Sequence, residues 1–145
     1  MALQLLIAIP MVVATLMFHV TGLAGLLVLI PPRGHRLGVR RALLVEAGLV
    51  LLVVNGLFVL HMSEVLAYAL LYRAGGAIPT FHEAFVFSAA NYATLGSDVV
   101  VPHGWRLVGA MEGANGIILL GFSTAFFVSV VARIRELLDE WLGRG

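Results

Sequence analysis

Three stretches of the chain are apolar over about twenty residues or more, and this feature constrains the fold most strongly. They cover residues 3–30, 42–60 and 105–134, and the second continues as a helical pattern toward Tyr72. Because a helix rises about 1.5 Å per residue, each stretch is long enough to cross the hydrocarbon core of a bilayer. The chain is therefore predicted to be an all-α membrane protein with three transmembrane helices.

The composition excludes several classes of function. The chain is 61% hydrophobic and 12% charged, whereas soluble domains are about 25% charged. Its net charge of +1 provides no broad basic surface for nucleic acid, and the absence of cysteine excludes disulfides and thiolate metal sites. No nucleophile–base pair has catalytic spacing, so we do not expect an enzyme.

The distribution of arginine predicts the orientation. Residues 1–30 lack a basic start and a cleavage site, so we interpret them as a retained peripheral helix and not as a signal peptide. The basic residues fall into three groups. A loop at 31–41 holds Arg33, Arg36, Arg40 and Arg41, and the C-terminal part of the chain holds Arg133, Arg135 and Arg144. The opposite side holds only Arg73 and Arg106. The positive-inside rule then predicts a multi-pass protein of the cell (inner) membrane. Its loop and its short tail at 135–145 are cytoplasmic, and its N-terminus is outside.

A short polar segment separates the second and third stretches. Thr80 and Glu83 have the spacing of a capping box, which predicts a helix over 80–92. About three turns suffice for a re-entrant helix that reaches half-way into the membrane. The non-helical residues that follow must then be buried in protein or line water.

The residues after this helix carry a resemblance to a known family. Thr94, Leu95 and Gly96, followed by Asp98, match most of the filter sequence T-V-G-Y-G-D, in which Leu often replaces Val. Residues 42–127 resemble the pore module of the tetrameric potassium-channel superfamily. The resemblance implies a homotetramer with an outer helix at 42–72, a pore helix at 80–92, a filter at 94–98 and an inner helix at 105–134.

The resemblance also implies a function for the filter. Stacked backbone carbonyls of Thr94, Leu95 and Gly96 from four chains would replace the water around K⁺ or Na⁺, and no other cofactor is expected. An acidic ring at Asp98 would concentrate cations at the mouth. Ser97 stands where the family has Tyr-Gly, so the filter is one residue shorter and its outer part wider. We therefore expect a passive channel that conducts K⁺ and Na⁺ with weakened selectivity.

The third stretch contains candidate gating and cavity residues. Gly116 matches the family's hinge glycine, and Asn115 beside it is predicted to face the cavity. Gly121 and Thr124 follow at the family's spacing. Close helix packing is the alternative role for Gly116, because Gly109 and Gly113 already form a small-xxx-small motif.

Ionisable residues within the membrane suggest a second kind of site. His61 and Glu64 share a helical face near the outer end of the second stretch, where they are candidates to bind a proton or a metal. His19 lies mid-way along the first stretch. Glu112 is predicted to make a structural bond to the pore helix, with His82 or Tyr92 as its partner.

Other functions stay open from the sequence. The channel could be strictly K⁺-selective. Alternatively, the four Asp98 carboxylates of a tetramer could let Ca²⁺ or Mg²⁺ pass, or could bind these ions so that they block the channel. A carrier coupled to a proton or a metal would use His19, His61, Glu64 and Glu112. An accessory protein with a collapsed filter is a further alternative.

Overall fold

The computed structural model describes residues 2–31 and 37–142. These residues form four α-helices: α1 (Ala2–Val28), α2 (Val39–Ala74), α3 (Phe81–Tyr92) and α4 (Arg106–Leu142), with a 3₁₀ turn leading into α4. α1, α2 and the helical stretch that includes α4 are each long and apolar enough to cross a membrane. The described part of the chain is thus all-helical, and the prediction of three such helices is confirmed.

The three long helices are packed side by side in alternating directions. α1 runs antiparallel to α2, as three contacts demonstrate: His19 to Glu64, Gly22 to Leu60, and Leu26 to Gly56. α1 runs parallel to α4, as three more demonstrate: Gln4 to Leu107, Thr15 to Asn115, and His19 to Ser123. α1 is therefore packed against both of the other long helices.

The loop between α1 and α2 lies at the same end of the bundle as the C-terminal end of α4. The backbone N–H of Leu37 donates to the carbonyl of Trp141 at 3.0 Å. Among the described residues, Arg40 and Arg41 thus share one end of the bundle with Arg133 and Arg135, as the charge pattern predicts. Arg33, Arg36 and Arg144, which belong to that pattern, lie outside the described residues.

The short helix α3 folds back along α2. The chain reverses at Gly75 and Gly76, where Gly76 has a φ of +71° that suits glycine. Thr80 caps α3: its hydroxyl accepts from the Glu83 amide at 3.2 Å and donates to the Glu83 carboxylate at 2.8 Å. The predicted cap is therefore confirmed, with the carboxylate bound to the hydroxyl and not to the backbone of Thr80.

The C-terminal end of α3 lies deep in the bundle against α4. A Cβ atom at Gly116 would overlap the backbone carbonyl of Tyr92, and one at Gly113 would lie 3.2 Å from the carbonyl oxygen of Asn91. Gly116 is about 15 Å along α4 from its start at Arg106. Close packing of α3 therefore explains why glycine occupies this position.

Apolar clusters lie at both ends of the bundle. The cluster near the start of α3 includes Tyr72, Phe87 and Val108, and the opposite one includes Val53 and Ile134. Polar side chains are buried between them. The site described below occupies this middle layer.

α1 and α2 lie close to their predicted bounds, and α4 is longer than the sequence predicts. α2 ends at Ala74, near the predicted end at Tyr72, so His61 and Glu64 lie about three turns before the end of the helix. α4 continues to Leu142 and includes most of the predicted tail at 135–145. α1 passes through Pro10 without ending.

Replacing Gly116 by alanine tests how closely the end of α3 packs against α4. The added methyl group must displace the backbone at Tyr92, so we expect a loss of about 1–3 kcal/mol in the free energy of unfolding. Gly48→Ala is the control, because a Cβ atom there has no neighbour within 4 Å. Thermal unfolding followed by circular dichroism would measure both, and equal stability of the two variants would contradict this packing.

Candidate functional site

The segment after α3 is irregular and exposed. Residues 93–98 form no helix, and Leu95 is 81% exposed. The amides of Thr94 and Leu95 donate to the carbonyls of Asn91 and Ala90, at 2.9 and 2.8 Å. These two bonds form a Schellman motif, which turns the chain away from the helix axis.

Thr94 occupies a strained position in this motif. Its φ of +59° lies in the left-handed region, where glycine is usual and a β-branched residue is disfavoured. Thr94 therefore begins the segment in a left-handed turn and not in extended backbone. Gly96 also has a positive φ, of +78°.

Ser97 and Asp98 follow Gly96 in the exposed segment. Both are exposed, and the hydroxyl of Ser97 accepts from the Val99 amide at 3.2 Å. An open groove of about 530 Å³ runs between α3 and this segment, with Val86 and Ala90 on the α3 side. The carboxylate of Asp98 thus borders a space that is open to ions.

The candidate residues of α4 point in two directions. Asn115 is buried and donates to the hydroxyl of Thr15 at 2.8 Å, so the prediction that it faces a cavity is corrected: its amide joins α4 to α1. Gly116 packs on Tyr92. Gly121 and Thr124 are exposed.

Glu112 holds the middle of α3. Its carboxylate accepts from the hydroxyls of Ser88 at 2.5 Å and Tyr72 at 2.7 Å, and from the amide of Asn91 at 2.9 Å. The predicted bond to this helix exists, but neither His82 nor Tyr92 makes it. Three donors around one carboxylate satisfy most of its lone pairs and offset its burial.

A second buried network joins the four α-helices of the described chain. We call it the polar ring: His19 from α1, His61 and Glu64 from α2, Tyr92 from α3, and Ser123 from α4. Glu64 accepts from Tyr92 at 2.5 Å and lies 2.7 Å from Nδ1 of His19. Nδ1 of His61 is 2.7 Å from the Tyr92 oxygen.

Ser123 closes the ring on its far side. Its hydroxyl lies 2.9 Å from Nε2 of His61 and 3.2 Å from Nε2 of His19. Each imidazole therefore has a partner at both nitrogens. Because Tyr92 ends α3, the ring attaches the base of the exposed segment to the three long helices.

The ring was only partly predictable. The sequence points to His61 with Glu64, and separately to His19, and the structure brings these three together. Tyr92 and Ser123 were missed as members, because a tyrosine and a serine in apolar helices give no signal of their own. Glu112, the fourth residue predicted for a proton- or metal-coupled carrier, does not join the ring. It accepts from Tyr72, Ser88 and Asn91 instead.

The geometry of the ring fits protons better than a metal. Zn²⁺ ligands at about 2.0–2.1 Å from the ion lie roughly 3.3 Å apart when tetrahedral. His19 Nδ1 and Glu64 Oε1 are 2.7 Å apart, which is the length of a charge-assisted hydrogen bond. The ring is thus a hydrogen-bonded network.

Comparisons of the chain with protein-family models, curated proteins and solved structures found no match. Any functional assignment therefore depends on the residues of this chain and on their arrangement.

Replacing Glu112 by leucine tests the attachment of α3. Tyr72, Ser88 and Asn91 would lose their shared acceptor, and each buried donor left unpaired costs about 1–3 kcal/mol. We expect a loss of at least about 2 kcal/mol in unfolding free energy, measured by thermal unfolding. Glu83→Gln is the control, because glutamine preserves the cap of α3. Unchanged stability of Glu112→Leu would contradict this role.

Proposed function

We propose that this chain is one subunit of a cation channel in which residues 94–98 line the pore. One observation carries the proposal. Residues 94–98 are irregular and exposed, and they follow α3, whose C-terminal end lies in the middle of the bundle. The base of the segment lies beside Gly116 on α4 and beside the polar ring. Backbone of this kind does not face lipid, because its N–H and C=O groups would be unpaired there.

Assembly around an axis satisfies this constraint. Four copies would face one another across water and remove the segment from lipid. The number four rests on the resemblance to the potassium-channel superfamily. The strained φ of Thr94 also favours a functional segment, since such strain is concentrated at functional sites.

The residues of the segment would act in two layers. Carbonyls of Thr94, Leu95 and Gly96 would bind dehydrated K⁺ or Na⁺. Ser97 and Asp98 would form a wider, negatively charged mouth that concentrates cations. Because the segment is one residue shorter than the family's filter, we expect weak discrimination between K⁺ and Na⁺.

The exposed face of α4 is suited to line the path below. It bears small residues at helical spacing, Ala114, Gly121, Thr124 and Ala125, beside the larger Ile117, Ile118 and Val128. Small side chains leave room for hydrated ions around a central axis. In the proposed orientation, the segment at 94–98 faces outward and the end with Leu37 and Trp141 is cytoplasmic, as the arginine pattern predicts.

Recordings from planar bilayers, with K⁺ on one side and Na⁺ on the other, test the proposal. The wild-type current should reverse near zero potential and be reduced by external Ca²⁺ or Mg²⁺. Asp98→Asn should weaken that block and lower the conductance in dilute salt by a factor of about ten, because charged mouths raise local ion concentration by that factor or more.

Glu83→Gln is the control variant, since it removes an exposed carboxylate near the start of α3 and leaves the proposed mouth intact. It should not alter block. A reversal at the K⁺ equilibrium potential would contradict weak selectivity. An absence of current from assembled protein would contradict conduction itself.

A further inference from the structure

The hydrogen-bond count in the polar ring implies an extra proton. The ring is closed by five contacts of 3.2 Å or less, between His19 and Glu64, Glu64 and Tyr92, Tyr92 and His61, His61 and Ser123, and Ser123 and His19. A longer contact of 3.3 Å joins Nδ1 of His61 to Glu64, and it shares the nitrogen that faces Tyr92. Each of these five contacts is a hydrogen bond only if one proton lies in it. Five contacts therefore need five protons.

The five side chains bring four protons when each is in its ordinary form. Each neutral imidazole has one N–H, and Tyr92 and Ser123 each have one O–H, while the Glu64 carboxylate has none. Without a fifth proton, two lone pairs would face each other in one contact. Such a buried, unpaired contact is costly.

The charge balance requires the same proton. Glu64 is 1% exposed, and an isolated carboxylate within a membrane is expensive. One added proton makes the ring neutral as a whole while every contact keeps its hydrogen bond. The other ionisable side chains nearby are Tyr68, Tyr72 and Glu112, and Glu112 is satisfied by its own three donors.

Ser123 allows the two imidazoles to share the proton. When His19 is the cation, its Nε2–H donates to Ser123, whose hydroxyl donates to Nε2 of His61. When His61 is the cation, both bonds reverse. The two arrangements differ only by proton shifts along contacts of 2.9 and 3.2 Å.

The ring is accessible from one side. His61 is the least buried of its ionisable members, with a side chain 12% exposed. It borders a crevice of about 270 Å³ between α2 and α4, lined by Val54, Leu57, Leu120, Thr124 and Phe127. The crevice places the edge of the His61 ring at the surface of the bundle.

We propose that the polar ring is a proton-binding site that holds one exchangeable proton and thereby fixes the base of the segment at 94–98. Loss of the proton at raised pH leaves one of the five contacts without a hydrogen bond, and two of these five contacts hold Tyr92. The segment then becomes more mobile. This inference does not depend on the proposed channel function, since neither half of it requires conduction.

Nuclear magnetic resonance of the full chain in nanodiscs, with isotope-labelled histidine rings, tests the site. In the closed ring, His19, His61 and Glu64 together should hold three protons, and raising the pH should remove one in a single step seen on both rings. The exposed His82 and His103 are internal references. Ring signals of His19 and His61 that do not change together with pH would overturn the proposal.

Variants of Glu64, Glu112 and Ser123 test which residues hold and share the extra proton. Glu64→Gln should abolish the extra proton, because the charge that it neutralises is gone, whereas Glu112→Gln should leave it in place. Ser123→Ala should make the two rings titrate separately. Loss of the extra proton in Glu112→Gln as well, or a joint step that persists in Ser123→Ala, would overturn the proposal. A shift of both ring signals on addition of Zn²⁺ would overturn it in favour of a metal site.

The coupling to the segment has its own readout. The chain has no cysteine, so a spin label on Ser97→Cys reports only that position. Its mobility should rise at the same pH step, and with Tyr92→Phe added it should be high at every pH. A label unaffected by both changes would show that the ring does not hold the segment.

Discussion

The position of α3 depends on two buried carboxylates. Glu64 and Glu112 approach it from α2 and α4, and together they bind three side chains of α3: Ser88, Asn91 and Tyr92. A buried charge is destabilising unless its lone pairs are satisfied. Removing α3 would leave both carboxylates with fewer donors inside the bundle, so the helix and the charges stabilise each other.

In the proposed membrane orientation, this arrangement places polar backbone at a depth where lipid cannot solvate it. Gly116 allows the end of α3 to approach α4 closely, and the Schellman motif then turns residues 94–98 away from the helix axis. A single chain leaves that segment exposed. Assembly with other copies around water removes the conflict, and this is the physical basis of the proposed channel.

Much of the fold could be predicted from the sequence, because hydrophobic length and helix capping are local signals. Hydropathy predicted three long helices, and the Thr80–Glu83 spacing predicted the start of α3. The exposed and buried faces of α4 could not be predicted, because its residues are apolar on every side and show no periodicity. Asn115 was therefore predicted to face the cavity, although its side chain is buried against α1.

The candidate site was predictable only where one helix carries it. His61 and Glu64 lie one turn apart, so their pairing followed from spacing alone. Their contacts with His19, Tyr92 and Ser123 join residues of four helices, which only the packed bundle brings together. The helix that binds Glu112 was predicted correctly, but its partners depend on the rotation of α3, which the sequence does not reveal.

The most direct test of the account is the effect of a charged thiol reagent on currents through Ser97→Cys. The native chain has no cysteine, so any effect reports this position, and Val13→Cys on the exposed face of α1 is the control. If residues 94–98 line the pore, a cationic reagent added from outside reduces the Ser97→Cys current and leaves the control unchanged. A Ser97→Cys current that stays unchanged after complete labelling would contradict the central claim.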